Sequence, residues 1–364
     1  MPKHAQRKTV IVGMSGGVDS SVSALLLKKQ GYRVIGAFMK NWSDPLPNGE
    51  ACSWRADRFD ARRVAVYLDI PLLTLDFEKE YKALVFENFL YEYKAGRTPN
   101  PDILCNTEIK FRAFLNFALQ NGADMIATGH YAHVRKRQGK YELHKGKDSN
   151  KDQSYFLYTL GQNELQHVLF PIGNLTKTHV RDIARRAHLP TAERKDSQGI
   201  CFVGNVELRD FLKQYVPTRK GKVISPKGEV VGSHEGQALY TIGQRHGLNV
   251  GGGAPLYVSE RNARTNTVTV VEGSDHPRLF GTGVAVQDIT WVSGTAPRKR
   301  TGWKAKIRYR QQDQTIRRVE ILPRSLRIFF ANKQRAITPG QSIVLYKGSQ
   351  VLGGGIIDKA TPNP

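Results

Sequence analysis

The sequence predicts an α/β fold: a doubly wound parallel sheet, followed by a small mixed α+β or β domain and a C-terminal β-barrel. Three observations carry that expectation. Residues 9 to about 130 alternate short β-branched runs with amphipathic stretches of helical spacing, the pattern of strands joined by crossover helices. The first run, Thr9-Val10-Ile11-Val12-Gly13-Met14, ends in the turn Ser15-Gly16-Gly17-Val18-Asp19-Ser20-Ser21, which leads directly into a helix. From about residue 207 glycines multiply, and short β runs between turns replace the helices. At 364 residues the chain exceeds one typical core. The changes of character divide it into domains at 1–206, 207–280 and 281–364.

Taken in order, residues 9–13 read as a strand buried on both faces. Val22, Ala24, Leu25 and Leu26 then fall at helical spacing, and Gly31 ends that helix. Gly16 and Gly17 permit close backbone approach and positive φ. The turn can therefore aim N–H groups and the positive end of a helix dipole at an anion, with Ser15, Ser20 and Ser21 adding hydroxyl donors. No Gly-Lys-Ser/Thr ending of a Walker loop is present, and Gly13, Gly16 and Gly17 are wrongly spaced for G-x-G-x-x-G. Residues 32–39 make the second strand, 57–68 a helix, 72–77 the third strand, 79–93 a long helix, 107–120 another, and 123–128 a further strand. Ligands of such sheets bind at strand carboxyl ends. Met39 closes one of these ends and Gly129-His130-Tyr131 another. Gly129 could let a nucleotide lie against the backbone; His130 is either structural or ligand-facing.

Between strands, Asn100 suits an N-cap and Pro101 the first helical position. Asp102 and Cys105 then share one face of the first turn, with the thiol in the helix dipole; a capped helix with a buried cysteine is the alternative. Residues 141–145 read as part of a hairpin. Lys151-Asp152-Gln153 forms a polar cluster running into aromatics, and residues 177–189 a basic helix. Residues 196–202 either present the Cys201 thiol in a tight turn or bury it in a short strand.

Lys and Arg total 55 against 32 Asp and Glu, a net charge of +23. A small metabolite does not require that excess, whereas a phosphate polymer does. Residues 291–335 alone carry a net +11, and Trp303, Lys304, Lys306, Arg308, Tyr309 and Arg310 interleave aromatic and basic side chains. That composition suits a nucleic-acid surface, a solvated barrel face being the alternative. No run of 18 apolar residues occurs, so no membrane span is expected; the first eight residues hold no apolar signal region, and a cytoplasmic protein is expected. Cys52, Cys105 and Cys201 include no C-x-x-C pair, which excludes a zinc ribbon or four-thiolate iron–sulfur site within one chain.

The turn from Ser15 to Ser21 resembles the pyrophosphate loop, S-G-G-x-D-S, of the ATP pyrophosphatase superfamily. That resemblance implies ATP cleaved between its α and β phosphates, with Asp19 positioning Mg²⁺ or the triphosphate. Together, GMSGGVDSS, FMKNW, TPNPDILCN, ATGHYA, KDQSYFL, DSQGICF, LYTIGQRHGL and LGGGII resemble the tRNA-specific 2-thiouridylases, and they run from residue 13 to residue 357. This resemblance implies an N-terminal ATP-binding domain, a small central domain and a C-terminal barrel. The implied reaction is ATP-dependent replacement of the 2-oxo group of the tRNA wobble uridine by sulfur.

Carried over by motif, Gly13, Met14, Ser15, Gly16, Gly17, Val18, Asp19 and Ser20, with Met39 and Gly129, would bind ATP, its Mg²⁺ coming with it and no separate metal site implied. Asn100, Pro101 and Asp102 would meet the target base, with Asp102 as acid/base. Cys201 would carry the incoming persulfide and Cys105 would be the partner nucleophile. His130, Lys151, Asp152, Gln153, Arg308, Tyr309 and Gln341 would contact tRNA, and Cys52 has no implied role. The implied partners are tRNA and a persulfide-carrying sulfur-relay protein, with the chain a monomer. The chemistry is coherent: adenylation turns a poor leaving oxygen into AMP, a persulfide is a strong nucleophile, and a second thiol can release its sulfur by exchange. A pyrophosphate-loop amidotransferase or ligase acting on a metabolite would need neither paired cysteines nor basic charge. An RNA-binding regulator with a degenerate nucleotide domain would need neither the intact loop nor Asp102 and both thiols.

Overall fold

The computed structural model describes residues 7–45, 53–196, 208–216, 218–248, 250 and 253–361. Cys52, Cys201 and the expected turn at 197–202 lie outside the described residues. The first 170 residues contain β1 (Thr9–Gly13), β2 (Arg33–Lys40), β3 (Leu72–Asp76), β4 (Met125–Ala127), β5 (Ala132–Arg137), β6 (Lys140–Lys145) and β7 (Val168–Leu169). Five of these form a wholly parallel sheet in the order β3-β2-β1-β4-β7. The order reverses between β1 and β4, so a ligand crevice opens at their carboxyl ends.

Strand alternation sorts the core into two layers. Val10 and Val12 of β1, with Val34 and Phe38 of β2, pack on α1 (Val18–Lys29) and α2 (Trp54–Tyr67). Ile11, Ala37 and Met39 face the other way, toward two long helices. One of these runs through 78–94, with a π-helical middle at Lys82–Phe86. The other runs through 101–120: Pro101–Leu104 is α-helical, Cys105–Ala113 is π-helical and Phe114–Gln120 returns to α. π turns recur at functional sites, since the extra residue re-aims side chains. The basic helix is shorter than expected, Lys177–Arg186.

The central domain packs helix Leu208–Tyr215 beside β8 (Gly221–Ile224), β9 (Val230–His234), β10 (Leu256–Asn262) and β11 (Thr267–Glu272), in the order β10-β11-β8-β9. Phe211 lies 6.2 Å from Trp42, and Tyr215 lies 4.8 Å from Phe86, ring to ring. One apolar core thus continues from the first domain into the second.

The barrel comprises β12 (Phe280–Trp291), β13 (Lys304–Lys306), β14 (Gln314–Ile321), β15 (Leu326–Arg335), β16 (Ser342–Lys347) and β17 (Gln350–Thr361), closed by β12 on β17. Val284, Val286, Trp303, Ile328, Leu345 and Ile357 are among the residues filling its interior. The sheet does not stop at the barrel. β17 pairs with β6, with Val351 opposite Leu143, and β5 pairs with β6 in turn. The hairpin expected at 141–145 therefore exists, but its sheet belongs to the barrel.

Candidate active site

Because β1 and β4 are adjacent and parallel, the turns that follow them emerge side by side. The first is the Ser15–Ser20 turn. Gly16 has φ +79°, and a Cβ there would stand 2.3 Å from Asp57 O, so only glycine fits. Gly17, in contrast, is extended at φ −86°, ψ 165°; it caps α1 without a side-chain bond, leaving the helix N-terminus to other acceptors. The serines divide. Ser20 and Ser21 turn inward, their hydroxyls donating to Gly17 O at 3.1 and 2.8 Å, while Ser15 remains exposed.

Asp19, in the first turn of α1, accepts the Tyr131 hydroxyl at 2.8 Å and takes both carboxylate oxygens to Lys177 Nζ at 2.8 Å. Lys177 also pairs with Asp196 at 2.8 Å, which is further bound by Lys151 at 2.6 Å and Arg181 at 2.8 Å. Desolvation would raise the Asp196 carboxyl, but hydrogen bonds from Lys151 and Lys177 outweigh it and hold it at about 2. Arg194 donates to Gly16 O at 2.9 Å and pairs with Asp57 and Asp60, tying the turn to α2. Sequence reasoning missed Lys177, Arg194 and Asp196. One signal was available: Thr176 caps its helix, which puts Lys177 at the first helical position, where the dipole disfavours a cation.

The second turn begins at Thr128. A Cβ on Gly129 would lie 2.7 Å from Ser20 N, so this glycine lets β4 exit across the first turn of α1. Met39 is buried, with its methyl against Gly13. His130 is not at the surface: its Nδ1 meets Thr128 Oγ1 at 2.7 Å, and its ring packs between Phe111 and Phe170. Burial, with Lys110 nearby, pushes its pKa well down, so the ring is neutral. The expected contact of His130 with RNA is thus unavailable in this arrangement.

Asn100 does cap its helix, its side chain accepting from Asp102 N at 3.2 Å, and Pro101 is the first helical residue. Cys105 follows the alternative reading, a capped helix with a buried cysteine. It lies where the π-helical stretch begins and is fully buried. Asn106 donates back to Asp102 O at 2.8 Å.

The remaining expected RNA contacts fall at a domain seam. Asp152 is buried, accepting from Gly146 N and Ser154 N at 3.1 Å each and facing Lys306 of the barrel at 3.4 Å; its side chain closes a turn and does not reach solvent. Gln153 accepts from Tyr131 N at 3.0 Å, and Lys151 is held by Asp196. Gln341 donates to Thr98 O at 2.9 Å and Pro99 O at 3.2 Å. The Tyr309 ring lies 4.5 Å from that of Phe156, tilted by 49°, with Arg310 over it, and Arg308 is exposed beside it. All thirteen Lys and Arg residues of 291–335 except Lys306 and Arg335 are exposed.

A parallel sheet with a glycine turn at its switch point, followed by a small mixed domain and a β-barrel, defines a nucleotide-fold chain with two appended domains. Three sequence families match in the same succession: tRNA methyl transferase HUP domain over residues 8–205, tRNA methyl transferase PRC-barrel domain over 209–272, and Aminomethyltransferase beta-barrel domain over 282–357. Full-length similarity narrows this further. A tRNA-specific 2-thiouridylase MnmA of Methylobacillus flagellatus is 51% identical over 359 residues, 97% of this chain and 99% of that protein. Its namesake in Nitrosomonas eutropha is 52% identical over 356 residues (96% and 98%), and that of Ralstonia pickettii 50% over 361 (98% and 97%). The chain belongs to the tRNA-specific 2-thiouridylase MnmA family.

Proposed function

We propose that the protein replaces the 2-oxo group of a tRNA wobble uridine by sulfur, using ATP and releasing AMP and pyrophosphate. The observation that carries this reading is the glycine turn at the β1–β4 switch point, opening on the N-terminus of α1 with Asp19 beside it, in a chain of the 2-thiouridylase family. The N–H groups at the start of α1 suit the phosphates of ATP, and Lys177 offers a cation to them. Asp19 would be the protein's carboxylate toward the magnesium ion that accompanies ATP.

Uridine O2 bonds to the α-phosphorus and pyrophosphate leaves, with Asp102 as acid/base. The terminal sulfur of a Cys201 persulfide then bonds to C2 and AMP departs. The Cys105 thiolate then attacks Cys201 Sγ and breaks the S–S bond, so the outer sulfur stays on C2 as the thiocarbonyl, and the resulting Cys105–Cys201 disulfide is reduced by an external thiol. The persulfide would come from a sulfur-relay protein. Since Cys105 is fully buried in the core, its thiol acts only once that packing opens, as on binding of tRNA.

The test is thionucleoside analysis of tRNA incubated with the protein, labelled ATP, Mg²⁺ and a persulfide donor. Thiolated uridine with AMP and pyrophosphate is expected, and Asp19→Ala should abolish both while the protein stays folded. Release of ADP and phosphate would overturn the reading.

A further inference from the structure

Arg261 of β10 is half-buried, with its Nε enclosed, where the central domain meets the segment leading to Asn100. Its Nη2 donates to Gly96 O at 2.9 Å and Thr98 Oγ1 at 2.8 Å, and its Nη1 to Tyr240 O at 2.5 Å. Its Nε has no acceptor, and it forms no ion pair with a carboxylate among the described residues. Burial lowers its pKa to about 10, which still leaves it charged at neutral pH. A half-buried cation without a counter-ion, its Nε enclosed and unpaired, adds little net stability. Stability therefore does not explain an arginine here. Geometry does: a planar fork fixes three acceptors at once, which neither lysine nor methionine can do.

The same segment is held from its other side by the barrel. Thr98 N donates to Pro339 O at 2.9 Å, and Gln341 takes the carbonyls of Thr98 and Pro99. Contacts are close on both sides: a Cβ on Gly96 would stand 3.0 Å from Ala263 Cβ, and one on Gly340 would stand 2.9 Å from Thr98 N. Residues 96–99 are thus clamped between two domains immediately before the cap that starts the helix of Asp102 and Cys105.

We propose that Arg261 is a positioning residue that fixes Asn100, Pro101 and Asp102 for the target base, making the central domain part of the catalytic apparatus. This rests on the reading of those three residues as the target-base segment.

The experiment compares Arg261→Met, Arg261→Lys, Thr98→Val and Asp102→Asn with the unaltered protein, in melting temperature, tRNA affinity, ATP KM and thiolation kcat. A misplacement of about 1 Å lowers rate by roughly 10²-fold, so Arg261→Met should lose about that much kcat while tRNA affinity and ATP KM change less than about threefold. Arg261→Lys should recover only part of the loss. Should Arg261→Met fail to fold, the pair Arg261→Lys and Thr98→Val decides: the double variant should lose clearly less than the product of the single losses. A folded Arg261→Met with kcat within threefold of the unaltered protein, or multiplicative losses in the pair, overturns the inference. Full activity in Asp102→Asn would overturn the underlying reading instead, and the inference with it.

Discussion

Asp196 meets three cations, from Lys151, Lys177 and Arg181, and each comes from a different part of the chain or a different turn. A carboxyl held at about 2 when folded and near 3.9 when unfolded stabilises the fold fully above about pH 4; that contribution is lost as pH falls from there through about 2. Acid titration should show the stability advantage over Asp196→Asn shrinking across this window, and a constant gap from pH 7 to pH 2 would refute it. At the same scale, Cys105→Ser and Cys201→Ser should each abolish thiolation with ATP binding intact, and Cys52→Ser should be nearly silent. Multiple turnover in either of the first two, followed by thionucleoside yield, would contradict the two-thiol scheme. What sequence could show of individual residues depended on range. Asn100 and Pro101 were legible because capping is decided within a few positions. The Asp19–Lys177 pair was not, because only the packing of two helix N-termini brings these residues together. His130 and Asp152 sit in recognisable stretches, but a stretch does not say which way a side chain turns, and both turn inward.

Strands and helices with strong periodicity fell close to expectation, as in β1, β2 and α1, since buried parallel strands read as continuous apolar runs. β12 and β17 escaped because glycines interrupt them. Gly283 and Gly355 lie inside strands where a neighbouring strand passes close by: a Cβ on Gly355 would stand 2.6 Å from Gln287 O. Glycine there signals close approach, although in sequence it looks like a turn. The π-helical stretches were equally invisible, having no compositional mark of their own. The contact of the β4 exit with α1 gives a direct prediction. Gly129→Ala inserts a methyl 2.7 Å from Ser20 N, and overpacking of this kind costs about 1–3 kcal/mol. Thermal melting should fall accordingly and ATP KM should rise, because the atoms displaced belong to the Ser15–Ser20 turn; an unchanged KM would separate Gly129 from the nucleotide site.

Across the whole molecule the basic charge is concentrated on the barrel, and nearly all of it faces solvent. Each Lys or Arg contact with a phosphate contributes roughly −0.7 to −0.9 to the slope of log affinity against log salt. The pair Arg308→Glu and Arg310→Glu should therefore weaken tRNA binding and flatten that slope, with ATP affinity near normal. Filter binding across salt concentrations measures it, and an affinity indifferent to salt would assign the charge to solubility. The three-part architecture and the charge were legible because both are averages over many residues; the seam was not, since β6 and β17 pair across most of the chain. That seam also bears on synthesis. β6 is made early, yet its partner residues 350–351 are added among the last, so at about 5–20 residues per second the growing chain carries an unmated strand edge for on the order of ten to forty seconds. Open edges recruit other chains. The six-residue length of β6 and its terminal Lys140 and Lys145 keep that edge short and charged during the wait.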